Sequence, residues 1–180
     1  YVKIFASGSK APLKATPGHF ATNHAHINYY LDMTTLKTRL SEAQEVAKHL
    51  AERFLFDKVV DTIVCLEGTQ VIGAYLAEEL TRAGVLSTNA HKTIYVITPE
   101  YNSNSQMVFR ENILPMVHGK NVVILTAVVT TGLSLNKSIE AIQYYGGKLQ
   151  SAAAVFSTLD ELNGCPITSI YSPEDVTDYI

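Results

Sequence analysis

The strongest constraint on this chain is a series of short, continuously apolar segments separated by stretches with helical spacing. Segments of this kind are typical of strands that are buried on both faces. Strands that alternate with helices build a parallel sheet flanked by helices, so the sequence predicts an α/β fold. The predicted strands are 61–66, 93–97, 121–126, 149–156 and 167–171, and the predicted helices are 71–83, 134–145 and a last one that begins after Ser172.

The N-terminal region departs from this alternation. Residues 6–18 are rich in glycine and proline, which predicts an irregular arm, whereas residues 27–31 are β-like. A length of 180 residues suits one domain better than two. We therefore predict a single domain over residues 1–180, with a small arm or hood at 1–33 and a core at 34–180.

Two segments of the core fall outside the strand–helix alternation. Between Leu36 and Phe54, apolar residues recur at helical spacing, which predicts one long amphipathic helix with Thr34 or Thr35 as its cap. Residues 98–120 are polar for much of their length, and we expect them to form a loop.

Composition limits the classes of function. Apolar residues make up 47% and charged residues 17% of the chain, so a packed core is expected. The net charge of −3 and the lack of a Lys/Arg run argue against a nucleic-acid partner. No apolar run approaches the roughly 18 residues of a membrane span, and no signal-peptide pattern opens the chain. Two cysteines, Cys65 and Cys165, do not make a disulfide framework, so we expect reduced thiols and a cytoplasmic location.

A turn with the composition of a phosphate site follows one of the apolar strands. The strand runs through Thr126 and Ala127 into Thr130-Thr131-Gly132-Leu133-Ser134, where a helix is predicted to begin. The first amides of a helix lack partners and the helix dipole is positive there, so an anion is favoured. Glycine permits close backbone approach, and the Thr and Ser hydroxyls add hydrogen-bond donors. A plain strand-to-helix turn capped by Ser or Thr is the alternative for this string taken alone.

The complete strand–turn–helix unit resembles the PRPP signature of the type I phosphoribosyltransferases. In that signature an apolar strand is followed by two acidic residues and a Thr/Gly/Ser loop that holds the 5′-phosphate. The resemblance covers most of the chain, and the orotate phosphoribosyltransferase branch fits best. Lys14-Ala15-Thr16-Pro17-Gly18-His19 and Tyr29-Tyr30-Leu31-Asp32 are similar to that branch's substrate arm and Tyr-containing strand, with extra residues between them.

The resemblance implies roles for residues around the turn, besides 5′-phosphate binding by residues 130–134. Thr126 would face the ribose, and Glu67-Gly68-Thr69 would line the pyrophosphate side. Lys14 and His19 would face the base. The implied partners are PRPP or a nucleotide, a pyrimidine-type base, Mg²⁺ bound together with PRPP, and a second copy of the chain in a homodimer.

Three departures from the family pattern bear on chemistry, and they make the PRPP motif degenerate. The acidic pair is replaced by Thr126 and Ala127, and the loss of one preorganised electrostatic group commonly costs roughly 100- to 1000-fold in rate. Residues 98–112 take the place of the mobile catalytic loop, but Arg110 is their only cation and two glutamates oppose it. Glu67 puts a negative charge where a pyrophosphate would rest.

Two functions stay open on these residues. The first is an orotate phosphoribosyltransferase-like enzyme, in which Thr126 and Arg110 would act in catalysis. The second is a non-catalytic sensor of a nucleotide or PRPP, which the missing acidic pair and the lysine-free loop favour. A purine in place of the pyrimidine is a further alternative, because the sequence does not settle the base.

Three histidines crowd the N-terminal arm. His24 and His26 would share one face of a strand, where neutral imidazoles are able to bind Zn²⁺. No cysteine or carboxylate joins them or His19 at a recognisable ligand spacing. We therefore predict no metal-binding residues, and histidines that are satisfied by hydrogen bonds or that line a base pocket.

Overall fold

The computed structural model describes residues 1–6, 9–21, 26–52, 57–82 and 88–177, and of residues 19–21, 26–28 and 177 it describes the backbone alone. Its strands are β1 (Val2–Phe5), β2 (Pro12–Ala21), β3 (His26–Asp32), β4 (Thr62–Cys65), β5 (Tyr95–Ile97), β6 (Glu100–Tyr101), β7 (Met107–Val108), β8 (Asn121–Val129), β9 (Lys148–Ser157), β10 (Glu161–Leu162) and β11 (Cys165–Tyr171). Its helices are α1 (Thr34–Thr38), α2 (Leu40–Leu50), α3 (Gln70–Thr81), α4 (Leu133–Tyr144) and α5 (Pro173–Thr177), with a 3₁₀ turn at Leu114–Met116.

The centre of the molecule is a six-stranded sheet in the order β10-β11-β9-β8-β4-β5. The neighbours from β11 to β5 pair in parallel, and β10 adds a short antiparallel edge. β8 lies inside the sheet, and its residues from Val122 to Ala127 are all buried, as continuous apolar strands require. The parallel sheet and its flanking helices confirm the predicted fold class.

Two apolar layers cover the two faces of this sheet. On one face, residues of α2 and α3 pack with the N-terminal strands, for example Leu50, Leu76 and Leu13. On the other face, α4 packs with the segment around Phe109 and Val117. Among the described residues, no helix is both long and apolar enough to cross a membrane.

The predicted irregular arm at residues 6–18 is wrong for most of its length. β2 begins at Pro12 and pairs antiparallel with β1 and β3, so the hood is a three-stranded sheet. Alternation explains the strand, since Leu13 and Ala15 are fully buried while Lys14 between them is not. The Tyr171 hydroxyl fixes this sheet to the core, because it accepts from the Ala6 amide at 2.9 Å and donates to the Ile4 carbonyl at 3.0 Å.

The single long helix predicted after residue 33 is also wrong. Arg39 is extended, with φ −82° and ψ 123°, and it separates α1 from α2. Thr34 and Thr35 do not cap a helix; the Thr35 hydroxyl donates instead to the Glu42 carboxylate at 2.9 Å and accepts from Lys14 at 3.1 Å. Helical spacing therefore predicted α1 and α2, but spacing alone cannot reveal a break that side-chain hydrogen bonds stabilise. The predicted end of the helix at Phe54 lies outside the described residues.

The polar stretch 98–120 is more ordered than predicted. It contains the antiparallel pair of β6 and β7 and the 3₁₀ turn at Leu114–Met116. Met107 and Phe109 are buried against the core beside α4, which explains why the segment does not run as an open loop.

Asp61 aligns two strands that carry the candidate site. Its Oδ2 accepts from the backbone and side-chain nitrogens of Asn121 at 2.8 and 2.9 Å, and its Oδ1 lies 2.5 Å from Lys92 Nζ. Burial by itself would raise the pKa of this carboxyl, but the Lys92 ammonium and the Asn121 donors together outweigh burial and lower the pKa. A lowered pKa in the folded state gives stability that is present above the unfolded pKa of about 3.9 and is lost on acidification.

We expect Asp61→Asn to reduce the free energy of unfolding at pH 7. The difference from wild type should shrink as the pH falls from about 5 toward 2, because the wild-type carboxyl then becomes protonated. Denaturant titrations at a series of pH values measure this. Lys92→Met removes the cation that lowers the pKa of Asp61. It should therefore also reduce the dependence of the free energy of unfolding on pH between about 5 and 2. A pH-independent difference for Asp61→Asn would contradict the assignment.

Candidate functional site

The turn between β8 and α4, residues 130–134, has a backbone that only glycine adopts easily. Gly132 precedes α4 with φ 83° and ψ 3°, in the left-handed region. A Cβ built on Gly132 would lie 3.0 Å from Leu159 Cδ1 and 3.1 Å from Leu162 Cδ2, so the turn rests on these two leucines. Both the dihedral angles and the close approach therefore require glycine at this position.

Two carbonyl groups of the turn, and the one that precedes it, are bonded within the protein. The Thr158 amide donates to the Val129 carbonyl at 3.0 Å, and the Thr158 hydroxyl donates to the Thr130 carbonyl. The Gly132 carbonyl accepts from the Asn136 amide at 2.8 Å as the first bond of α4. Helix-initial amides have no partners inside the helix, so this end of α4 offers several donors and a positive dipole.

The hydroxyl groups of the turn lie where they are able to supplement those amides. Thr131 and Ser134 are exposed, and the Leu133 amide reaches the Thr131 hydroxyl only at 3.4 Å. Leu133 is exposed as well, at 49%. The Leu133 amide therefore has a long side-chain contact within the turn, and the predicted phosphate-binding residues lie together at one helix terminus.

The turn opens on a cavity of about 350 Å³, which we call the phosphate cavity. Its other walls are Thr126 on β8, Glu67 after β4, and residues 29–31 of the hood. The structure thus brings together three parts of the site that are far apart in the sequence. The volume is close to the lower limit for small-molecule sites, which suits a group of about the size of a sugar phosphate.

Thr126 and Ala127 have different surroundings. Thr126 is 3% exposed and lines the phosphate cavity. Ala127 is 2% exposed and packs in the apolar layer on the other face of the sheet, with Leu125 and Val155. Of the two positions that replace the acidic pair, Thr126 is therefore the one that faces the phosphate cavity.

The predicted pyrophosphate-side loop is held in a tight turn. Glu67 and Gly68 both have positive φ, 55° and 75°. The Thr69 hydroxyl is fully buried and donates to the Leu66 carbonyl at 2.7 Å, which leaves the Thr69 side chain in a structural role. Lys37 Nζ donates to the Glu67 carbonyl at 2.9 Å and so brings a cation to this loop. Lys37 was missed from the sequence, because nothing in its local pattern on α1 indicates a contact thirty residues away.

Other predicted site residues lie apart from the phosphate cavity. Arg110 Nε donates to the Glu100 carboxylate at 2.7 Å at the base of the β6–β7 hairpin. Lys14 contacts Thr35 on α1 and lies 6.0 Å from the Tyr1 ring. Neither lines the cavity among the described residues. The backbone of His19 belongs to β2, but its side chain and all of His24 lie outside the described residues.

A second, larger cavity of about 1160 Å³ adjoins the first. It lies between the β6–β7 hairpin and the face of α4 that runs from Ser134 to Tyr145. Leu66, Glu67 and Ser134 line both cavities, so the two share a wall at these residues. We call this second space the hairpin cavity. In the part of the chain that the structure describes, no three His, Cys, Asp or Glu side chains gather as a metal site.

No protein-family model matches the chain, and no curated protein matches it in sequence. Solved structures match it in fold. The orotate phosphoribosyltransferase of Aeropyrum pernix has a TM-score of 0.61 at 18% identity, covering 91% of this chain and 90% of its own. The orotate phosphoribosyltransferase of Mycobacterium tuberculosis in complex with PRPP has a TM-score of 0.60 at 16% identity, over 82% of each chain. The adenine phosphoribosyltransferase of Leishmania donovani has a TM-score of 0.61 at 11% identity, over 91% of this chain and 77% of its own.

These likenesses confirm the predicted type I phosphoribosyltransferase fold. At such low identities they show the fold alone, since one fold hosts many functions. The orotate and the adenine phosphoribosyltransferase structures match with similar TM-scores. The overall fold therefore does not distinguish between these two kinds of transferase.

Proposed function

We propose that this chain, which has the type I phosphoribosyltransferase fold, binds a ribose 5-phosphate group, as in a nucleoside 5′-monophosphate or PRPP, at Thr130-Thr131-Gly132-Leu133-Ser134. The observation that carries the proposal is the turn around Gly132, where the Thr130 and Gly132 carbonyls are bonded elsewhere and α4 begins beside a cavity. A helix start of this kind binds phosphate without a cation.

The rest of the ligand would lie along the phosphate cavity. Thr126 is placed to hydrogen-bond a ribose hydroxyl, and Glu67 with Gly68 would flank the pyrophosphate of PRPP, with the Lys37 ammonium close by. The resemblance to the orotate branch supports a pyrimidine-type base. It also supports a base-side role for Lys14 and His19 of the hood, which would need a change in the position of Lys14.

The geometry favours a protein that binds this ligand without efficient transfer of the phosphoribosyl group to a base. No carboxylate stands at position 126 to stabilise the charge that develops on the ribose during transfer. Arg110, the one cation between residues 98 and 112, is paired with Glu100 and lies away from the cavity. Phosphoribosyl transfer to a base is the second candidate, and the coverage of 82–91% of the chain by transferase structures supports it.

Mg²⁺ fits this site only as a companion of PRPP. Mg²⁺ is usually bound through one or two carboxylates, several waters and the phosphates of the substrate. Glu67 is the carboxylate that both cavities share. A divalent cation between Glu67 and a pyrophosphate would turn their mutual repulsion into attraction. We therefore propose that PRPP needs Mg²⁺ to bind, whereas a nucleoside monophosphate does not.

Calorimetry with matched ligands tests the proposal. We expect uridine 5′-monophosphate and ribose 5-phosphate to bind without Mg²⁺, and uridine, which lacks the phosphate, to bind at least about tenfold more weakly, the value of one charge-assisted hydrogen bond. PRPP should bind in the presence of Mg²⁺, and pyrophosphate release with orotate, uracil or adenine should be slow or absent. Equal affinities for uridine and its monophosphate would refute phosphate recognition. Rapid pyrophosphate release would establish the transferase instead.

A further inference from the structure

Residues 157–163, which begin at the end of β9 and include β10, lie against the turn around Gly132. We call them the support segment. The Thr158 amide donates to the Val129 carbonyl at 3.0 Å, and the Thr158 hydroxyl donates to the Thr130 carbonyl. One residue of the support segment therefore holds two consecutive carbonyls of the chain that enters the turn.

These two bonds also set the direction of the next two amides. The described residues contain no cis peptide, and in a trans peptide the C=O and N–H groups point in opposite directions across a rigid plane. The amides of Thr130 and Thr131 therefore point away from Thr158. Because β8 lies between β9 and β4, this direction at Thr130 is the β4 side, where Glu67 lines the phosphate cavity. The bonds to Thr158 thus orient the turn relative to the cavity.

The support segment contacts the turn at two further points. A Cβ on Gly132 would lie 3.0 Å from Leu159 Cδ1 and 3.1 Å from Leu162 Cδ2, so these side chains pack directly against the turn. The Asn163 side-chain amide donates to Asn136 Oδ1 on α4, and the Asn136 backbone amide donates to the Gly132 carbonyl at 2.8 Å. The segment therefore holds the turn at its first residue, at its glycine and through α4.

The support segment has a defined shape of its own. Ser157 is 3% exposed, and its hydroxyl donates to the Leu159 carbonyl at 2.7 Å and accepts from the Leu159 amide at 3.0 Å. The Glu161 carboxylate accepts from the Gly164 amide at 2.9 Å, and β10 pairs antiparallel with β11. A segment fixed by these bonds is able to keep the turn in one conformation.

We propose that Thr158 is a positioning residue for phosphate binding, because its hydroxyl keeps the backbone at Thr130 in the conformation that receives a phosphate. This inference rests on the proposed phosphate function. Thr158 does not line the phosphate cavity among the described residues, so it acts through Thr130 rather than by touching the ligand. A ligand that had to order the backbone of one residue would lose roughly 5- to 30-fold in affinity, and the Thr158 hydroxyl removes this cost before binding.

A purely structural role for the Thr158 hydroxyl predicts a different result. Thr158 is exposed, so water is able to replace its hydroxyl on the Thr130 carbonyl when the hydroxyl is removed. Valine at this position keeps the branched shape and the amide bond to Val129. Thr158→Val should therefore fold, with a small loss in the free energy of unfolding, and any large loss of phosphate affinity would come from the orientation of the turn.

Calorimetry with ribose 5-phosphate on wild type, Thr158→Val, Thr158→Ser and Thr88→Val tests this role, together with chemical denaturation of each protein. Thr88 is the matched control, because it is exposed, its hydroxyl donates to the Lys58 carbonyl at 3.1 Å, and it lines neither cavity. We expect Thr158→Val to weaken ribose 5-phosphate by roughly 5- to 30-fold. Uridine 5′-monophosphate should weaken by the same factor, since it carries the same phosphate group. Thr158→Ser, which keeps the hydroxyl, should bind close to wild type, and Thr88→Val should match wild type.

Wild-type affinity in Thr158→Val would overturn the inference and leave the phosphate site standing. A loss in Thr158→Ser as large as that in Thr158→Val would also overturn it, because the hydroxyl would then not be the cause. The same holds if Thr88→Val loses as much affinity, or if Thr158→Val loses far more free energy of unfolding than Thr88→Val does. If wild type does not bind ribose 5-phosphate, the proposed function has failed and the inference fails with it.

Discussion

Gly132→Ala is expected to destabilise the protein and to weaken phosphate binding at the same time. Alanine at φ 83° costs roughly 1–2 kcal/mol of backbone strain. The new methyl would also meet Leu159 and Leu162 at about 3 Å, so the turn or the leucines must move. A shifted turn loses at least one amide contact to the phosphate, and a hydrogen bond to a charged group is worth about 1.5–3 kcal/mol, or roughly 10- to 150-fold. Chemical denaturation and calorimetry with ribose 5-phosphate measure the two effects.

Gly119→Ala is the matched control for the backbone strain. Gly119 has φ 71°, and a Cβ there would have no neighbour within 4 Å. The Gly119→Ala protein should therefore be destabilised by about the same backbone strain, and its affinity for ribose 5-phosphate should be unchanged. If Gly132→Ala binds ribose 5-phosphate as tightly as Gly119→Ala does, the turn around Gly132 is not the phosphate site.

The sequence was sufficient for the central sheet because its strands are buried on both faces. Short continuous apolar runs such as 121–126, bounded by turn residues, favour buried strands, so their existence could be predicted. Strand β2 of the hood could not, since the glycine and proline of residues 6–18 suggest a loop unless the pairing partners are known. The β6–β7 hairpin was missed for a similar reason: its two-residue strands depend on Met107 packing against α4 rather than on local propensity.

The candidate site could be predicted where a residue lies in a local pattern or in a loop at the end of a predicted strand, as the turn at 130–134 and Glu67 do. Lys37 reaches Glu67 from a different element, and the pairing of Arg110 with Glu100 depends on the hairpin register. Neither contact has a local signal. The homodimer, the cytoplasmic location and the base-side roles of Lys14 and His19 stay predictions.

The different surroundings of Thr126 and Ala127 predict opposite results when the missing carboxylates are restored one at a time. Ala127→Asp would place a carboxylate in the apolar layer beside Leu125 and Val155, without a hydrogen-bond partner among the described residues. An uncompensated buried charge costs about 3–5 kcal/mol, so the free energy of unfolding should fall by that amount at pH 7. Burial would raise the pKa of this carboxyl, so the loss should grow as the pH rises above about 4. Ala127→Asn, similar in shape but uncharged, should lose less and show no such pH dependence.

Thr126→Asp should instead be tolerated, because position 126 faces the phosphate cavity, where water and ligand hydroxyls are able to solvate a carboxylate. It restores one group that stabilises the charge developing on the ribose, which is worth roughly 100- to 1000-fold in rate where the rest of the site is competent. Pyrophosphate release from PRPP and Mg²⁺ with orotate, uracil or adenine should therefore rise above wild type, while Thr126→Asn, which has the same shape without the charge, should not raise it. A folded Thr126→Asp protein that binds PRPP and releases no more pyrophosphate than wild type would show that the chain lacks more than this one carboxylate. The hairpin, with Arg110 paired to Glu100 and no other cation between residues 98 and 112, would then join Ala127 and Glu67 among the features that limit transfer.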